Sequence, residues 1–224
     1  MNNWLGLLIA FVYIFIIIAL GEGLRRQRGY SSDFTRKVIH IGVGMLSWAL
    51  PFLFDNPWPF VFACAAFMVI NFLDWRYGFF AAMSSGDRSN LGTVYFPLAA
   101  AVVALIFWDR PPLMVAALMP LTWGDGMAPV FGRTYGRNHT YTIFGHTRSL
   151  QGSAAFVVMG GLFTWLALWL LNGSPDLSPV AALLPALVIT GVAALVEAVS
   201  IWGLDNLTVT AAAVLIILIW PFQL

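Results

Sequence analysis

Asp125, Glu197 and Asp205 are carboxylates set in or beside long apolar runs, and Asn71, Asp74 and Asn206 add polar groups in the same kind of setting. A charged side chain inside a membrane helix costs about 2.5–3.5 kcal/mol on insertion scales, so such residues are retained for a reason. Lys37 and His40 are three apart, which puts them on one face of a helix. Acidic groups and an amide at the floor of a polar pocket suit Mg²⁺, which takes oxygen ligands and is usually held by one or two carboxylates plus substrate phosphates. Lys37, Arg133, Arg137 and Arg148 are expected at the rim, where they would hold the phosphates of a nucleotide. Acids, amides and cations in this combination suit a phosphoryl or nucleotidyl transferase, whose catalysis is mostly positioning and charge stabilisation.

The stretch from Gly124 to Phe156 is the most informative. Gly124 and Gly126 flank Asp125, and Pro129 removes a helix hydrogen bond, which predicts a broken helix. A polar loop of about 18 residues follows, carrying Arg133, Arg137 and Arg148. Ser149, Gly152 and Ser153 then open the next apolar run, and that helix N-terminus is a candidate anion site.

The elements that must position these groups are membrane spans. Of the 224 residues, 60% are hydrophobic and 9% charged, against about 25% charged in a soluble domain. Lipid is therefore the solvent for most of the chain. Eight candidate spans are expected, at approximately 4–20, 38–54, 58–73, 91–108, 112–131, 152–171, 180–202 and 207–222. Seven spans is the main rival count. The expected fold class is all-α, a polytopic helix bundle forming a single integral membrane domain over 1–224. The first apolar run is read as a retained span rather than a signal peptide. Trp4, Trp58, Trp75, Trp108, Trp202 and Trp220 fall at span ends, where indole rings prefer to lie.

With eight spans, the odd-numbered connections hold Arg25, Arg26, Arg28, Arg36, Lys37, Arg76, Arg88, Arg133, Arg137 and Arg148, and the even-numbered ones hold only Arg110. The positive-inside rule then places the odd connections in the cytoplasm and both termini outside. Each buried polar candidate falls at that same end of its span. The pocket is thus expected to open to the cytoplasm, with an apolar substrate arriving sideways from the bilayer.

Other chemistries are disfavoured. A net charge of +1 argues against a nucleic-acid partner. Three histidines and one cysteine, widely spaced, make no zinc site, and the lone Cys64 allows no disulfide within the chain. Blander roles compete at each site residue. These are an ion pair for Asp125, an arginine partner for Glu197, a helix cap for Asp205, Ser149 or Ser153, and solvated positions for His139 and His146.

Several runs in order resemble the membrane-bound CTP-dependent lipid-alcohol kinases: the dolichol, phytol and farnesol kinases and a CTP-dependent diacylglycerol kinase. These are distantly similar to phosphatidate cytidylyltransferase. The runs are RKVIHIGVG from Arg36, GTVYFPLA from Gly92, GDGMAPVFGRTYG from Gly124, RSLQGSAAF from Arg148 and VEAVSIWGLDNLTV from Val196. They cover a motif core over 36–209. The resemblance implies CTP as donor, Mg²⁺ as cofactor and a lipid alcohol as acceptor. By position, Asp125, Glu197 and Asp205 match the family's acidic residues and are the expected catalytic groups and metal ligands. Lys37 and His40 match the first motif, Arg133 and Gly136 the G-R-x-x-G tail, Ser149, Gly152 and Ser153 the K-S-x-x-G-S motif, and Asn206 the D-N pair. Arg148 stands where the family often has Lys, and Leu204 precedes Asp205 where a second Asp is usual.

The expected activity is phosphorylation of a membrane-embedded isoprenoid alcohol such as phytol, since the chain's length matches the shorter members. A bacterial plasma membrane is the expected location, and the sequence leaves the oligomeric state open. A cytidylyltransferase acting on phosphatidate, a diacylglycerol kinase and, from another class, an ion-coupled transporter remain as alternatives.

Overall fold

The computed structural model describes residues 2–83, 90–200 and 203–222. Helix α1 (Asn3–Arg28) ends at Gly29, whose positive φ and N–H bond to the Arg25 carbonyl close the last turn. Ser31 caps α2 (Ser32–Gly44) by accepting from the Phe34 N–H. A 3-10 turn (Met45–Trp48) and the short α3 (Leu50–Leu53) continue the same rod. Next come α4 (Trp58–Tyr77), α5 (Gly92–Phe107) and α6 (Pro111–Met119). A π-helical stretch (Pro120–Asp125) joins α6 to α7 (Gly126–Tyr135). The chain finishes with α8 (Leu150–Leu170), α9 (Pro179–Val199) and α10 (Asp205–Ile219).

Among the described residues, five helices are long and apolar enough to cross a membrane: α1, α4, the α6–α7 rod, α8 and α9. Two shorter apolar helices, α5 and α10, and the segmented α2–α3 rod occupy the remaining expected span positions. The α6–α7 rod is the centre of the bundle. Its apolar window is 72% buried, while no other window exceeds 39%. Every residue from Leu113 to Met119 is buried.

Contacts sort the connections between two ends. At one end, Arg133 pairs with Asp33 at 2.8 Å and Glu22 accepts the Ala82 N–H at 3.1 Å. Arg148 reaches the Ser200 carbonyl at the same end. These bonds gather the four odd-numbered connections. At the other end, Asn3 accepts the Asp55 N–H, and the Cα of Gly173 faces the rings of Pro111 and Pro112. Arg88 and Trp202 lie outside the described residues.

Two local expectations need correction. The rod through Asp125 is not broken at Pro129, which sits inside α7. The irregularity precedes Asp125 instead. Pro120 has no N–H to give, and the wide π turn opens there. Gly160 of α8 fits against this turn, where a Cβ would come 3.3 Å from Pro120 Cα and 3.4 Å from Gly124 Cα. The expected polar loop contains a hairpin, with Thr140–Ile143 (β1) antiparallel to His146–Ser149 (β2). Phe144 and Gly145, both at positive φ, form its two-residue turn.

Candidate functional site

A cavity with about 1310 Å³ of empty space, its open mouth included, lies between α1, α2, α4, α5, the π turn and the start of α10. Its polar end is built from Lys37, His40, Asn71, Asp125, Asp205 and Asn206. Six of the expected site residues, drawn from four separate parts of the chain, therefore share one cavity.

The centre of this end is an ion pair. Lys37 Nζ donates to Asp125 Oδ2 at 2.7 Å, with both side chains largely buried. His40, one turn along α2, donates from Nε2 to the Leu121 carbonyl at 2.9 Å, and the same nitrogen is 3.7 Å from Asp125 Oδ2. A π turn disturbs the regular helical ladder, and the imidazole satisfies a carbonyl on that turn. The bond requires the proton on Nε2, because a carbonyl only accepts.

Asn71 has a comparable reason for its place. Pro97 sits inside α5 and lacks the N–H that would bond the carbonyl four residues earlier. That carbonyl belongs to Thr93, and Asn71 Nδ2 donates to it at 2.7 Å. The amide thus repairs the helix while facing the cavity.

Asp205 opens α10. It is the first helical residue rather than its cap, which is Leu204. Its Oδ1 accepts from the Asn206 backbone N–H and from Asn206 Nδ2. Asn206 Nδ2 also donates to the Gly203 carbonyl, so two acceptors fix which way the amide faces. Its Oδ1 is buried and has no partner. Gly203, at φ 78°, lies against Gly92, where a Cβ would come 2.7 Å from the Gly92 nitrogen. Only a residue without a side chain lets these two loops meet.

Arg36, beside Lys37 in the first motif, also lines the cavity. Its Nε is buried without a partner, and its nearest carboxylate oxygen, on Asp33, is 4.0 Å away. The other Asp33 oxygen is taken by Arg133. Arg36 is therefore a weakly compensated cation facing the cavity. Ser47 and Thr122 line it deeper in, each with a buried hydroxyl that has no partner.

The remaining expected residues form a second cluster outside the cavity lining. Arg148 donates from Nε to Glu197 Oε1 at 2.9 Å and to the carbonyls of Glu197 and Ser200 at 2.7 Å. Ser149 accepts the Gly152 N–H and caps α8, so that helix N-terminus is already occupied by its own cap. Ser153 pairs with the Tyr141 hydroxyl at 2.6 Å. Gly132 and Gly152 let α7 pack on α8, since a Cβ would meet Ser149 Oγ at 2.7 Å and the Ala128 carbonyl at 2.9 Å respectively. Arg133 and Arg137 are exposed, the first on Asp33 and the second on the Arg133 carbonyl. His139 and His146 are exposed on the hairpin side.

The three carboxylates lie within electrostatic reach of one another. Among the described residues, no group of three or more His, Cys, Asp and Glu side chains would hold a metal ion unaided. Asp125, Asp205 and Asn206 nevertheless line one cavity, and the Asn206 oxygen is buried without a donor; oxygen-bearing side chains of this kind suit Mg²⁺ when phosphates complete its shell. Glu197 is committed to Arg148.

Apart from Ser47 and Thr122, the cavity away from its polar end is mostly apolar, walled by residues of α1 and α4 such as Phe11, Ile14, Phe60 and Phe67. A single cavity therefore offers charge at one end and hydrocarbon contact along the rest.

The phytol kinase of Synechocystis sp. is 28% identical over 215 residues, covering 95% of this chain and 90% of the relative. A probable chloroplastic phytol kinase of Triticum aestivum is 27% identical, covering 87% of this chain and 70% of the relative. A probable chloroplastic phytol kinase 1 of Glycine max is 28% identical, with coverage of 88% and 70%. No family model matches the chain, and no solved structure matches it. Over nearly its whole length, then, this helical chain is similar to the phytol kinases.

Proposed function

We propose that this membrane protein is a CTP-dependent kinase that phosphorylates an isoprenoid alcohol such as phytol. The observation that carries the reading is the single cavity with Lys37, Asp125, Asp205 and Asn206 at one end and hydrocarbon walls along the rest. A lipid alcohol has the same division, one hydroxyl on one apolar chain. The names of the relatives support a kinase acting on such an alcohol. The proposed location is the cytoplasmic face of a bacterial plasma membrane, on the strength of ten basic residues in the odd connections against one in the even.

In this reading Lys37 and Arg36 neutralise phosphate oxygens at the mouth. Asp125 and Asn206 Oδ1 would hold Mg²⁺ together with the phosphates. When bound there it withdraws charge from the phosphate oxygens. Asp205 has no cationic partner among the described residues, whereas Asp125 is held by Lys37. Asp205 is therefore the carboxylate assigned to receive a proton. The alcohol oxygen bonds to the γ-phosphorus, the bond from that phosphorus to the β–γ bridging oxygen breaks, and CDP leaves with the electron pair. The hydroxyl proton passes to Asp205. Most of the rate then comes from alignment and preplaced charge. Arg148 and Glu197 act one layer out, fixing the end of α9 close to Asp205.

The test uses purified protein in nanodiscs with Mg²⁺, CTP labelled at either the α or the γ phosphorus, and a panel of alcohols, diacylglycerol and phosphatidate. Label moving from the γ position to a prenol is the expected result. Label moving from the α position to phosphatidate would replace the kinase with a cytidylyltransferase. No transfer by folded protein would remove the enzyme reading and leave the transporter.

A further inference from the structure

We infer that the apolar arm of the cavity between α1, α2 and α4 seats the chain of the alcohol, and that Ala10, Ala63 and Cys64 keep it open to a chain of three to four isoprene units. The inference rests on the proposed function for the head group and adds where the chain lies and what limits its length.

Three helices give the same depth order. On α4 the lining runs from Asn71 at the polar end to Phe60, near the start of the helix. Along α2 and its 3-10 extension it runs from Lys37 through His40 to Ser47. Along α1 it runs from Ile18 back to Ala10. At 1.5 Å per residue, the eleven steps from Asn71 to Phe60 span about 16 Å. An extended chain advances about 1.2 Å per bond, so the arm accommodates about thirteen bonds. Each isoprene unit contributes four bonds along its chain, which gives three to four units. Beyond Phe60 the helix ends within two residues, at the connection on the far side of the bundle.

Side-chain size sets the bore. Ala10, Ala63 and Cys64 are 1%, 3% and 5% exposed, so they are interior wall positions and not lipid-facing surface. Phe11 and Phe67 stack across the α1–α4 seam with centroids 5.1 Å apart. The stacked rings close that seam and add apolar wall to the arm. Larger groups at the three small positions would fill the arm from the side.

The first experiment measures kcat/KM for geraniol, farnesol and phytol with the wild-type protein and with Ala63→Phe and Ala10→Leu. The phytol-to-geraniol ratio is expected to fall about tenfold or more in Ala63→Phe, the scale on which pockets discriminate apolar groups. An unchanged ratio in folded variants overturns the inference. The second measurement is independent of activity and of variant folding. Farnesol carrying a diazirine at its tail is photolysed with wild-type protein without nucleotide, and labelled peptides are mapped. Label within 10–18 and 60–67 is expected, and label confined to other helices overturns the inference. Label in those two segments with no alcohol phosphorylated would keep the arm and discard the kinase. Prenol phosphorylation with label elsewhere would keep the kinase and discard the arm.

Discussion

Lys37 and Asp125 are 88 positions apart in the chain, and their Nζ and Oδ2 atoms are 2.7 Å apart. The pair sits among apolar helices, so each charge depends on the other. Removing one member leaves an uncompensated buried charge, at a cost of about 3–5 kcal/mol, whereas replacing both with apolar residues of similar size is often neutral. Lys37→Met and Asp125→Leu are each expected to lower the thermal unfolding midpoint in detergent, and the double variant to recover most of that loss. All three are expected to lack kinase activity. Equal melting of the double and the worse single variant would show that the pair is not thermodynamically coupled.

Arg148 and Glu197 form a different kind of pair, because Arg148 also holds the carbonyls of Glu197 and Ser200. Glu197→Gln keeps those two bonds and a polar partner at the same place. Arg148→Ala takes the donor from a buried carboxylate and from the Ser200 carbonyl, while the Glu197 carbonyl keeps the Ser200 N–H, at a cost of about 2–5 kcal/mol. Arg148→Lys keeps charge but loses the planar fork, so it is expected to fall between the two. Thermal unfolding of the three variants should rank Glu197→Gln highest and Arg148→Ala lowest. In activity, Glu197→Gln is expected to lose less than Asp125→Asn or Asp205→Asn, since Glu197 lies outside the cavity lining. The reverse order would return Glu197 to the reacting groups.

Gly203 holds Asp205 and Asn206 in register with the start of α5. An alanine there would adopt a positive φ and press its Cβ on the Gly92 nitrogen. Strain of this kind costs about 1–3 kcal/mol. Gly203→Ala is expected to lower both stability and kcat, because the loop that must shift carries Asp205. Gly191, where a Cβ added on α9 would meet open space, provides the control. Gly191→Ala should leave both quantities nearly unchanged. A kcat in Gly203→Ala equal to that of Gly191→Ala would argue that Asp205 need not be held so tightly.

The helical bundle was legible because apolar runs alone fix where lipid-exposed helices lie, and Asp125, Lys37 and Asp205 each stood out as a charge within or beside such a run. That these residues share a cavity was legible only from their placement at one end of their spans. The hairpin was not legible. Thr140–Ile143 alternates polar and apolar residues over only four positions, His146–Ser149 has no apolar residue to answer it, and Phe144-Gly145 is not a common turn pair. The π turn was hidden because Pro120 and Pro129 both promise a disturbance, and only packing of Gly160 against the first decides between them. Arg148 was expected at the rim with Arg133 and Arg137. Nothing local distinguishes the three, and the carbonyls that draw Arg148 inward lie 49 and 52 residues away. In sequence Arg36 reads equally well as a topology determinant, because only the fold shows that Arg133 takes one of the Asp33 oxygens.

Asn206 offers the sharpest separation of stability from function. Its Oδ1 is buried without a donor, which costs the ligand-free protein about 1–3 kcal/mol. Its Nδ2 bonds to Gly203 and Asp205 return part of that. Asn206→Leu removes the orphaned oxygen and these bonds together while keeping the volume. The ligand-free variant is therefore expected to unfold within a few degrees of wild type, a difference of about 1 kcal/mol or less. The proposed function assigns the free oxygen to bound Mg²⁺ and nucleotide. Wild-type protein should then gain stability when both are added, since a ligand that binds only the folded state raises the unfolding midpoint. Asn206→Leu should lose most of that gain and most of its activity. Asn206→Asp keeps an oxygen donor and is expected to retain part of the Mg²⁺-dependent gain. A leucine variant that keeps the full shift with Mg²⁺ and CTP would show that the unsatisfied oxygen serves neither ligand.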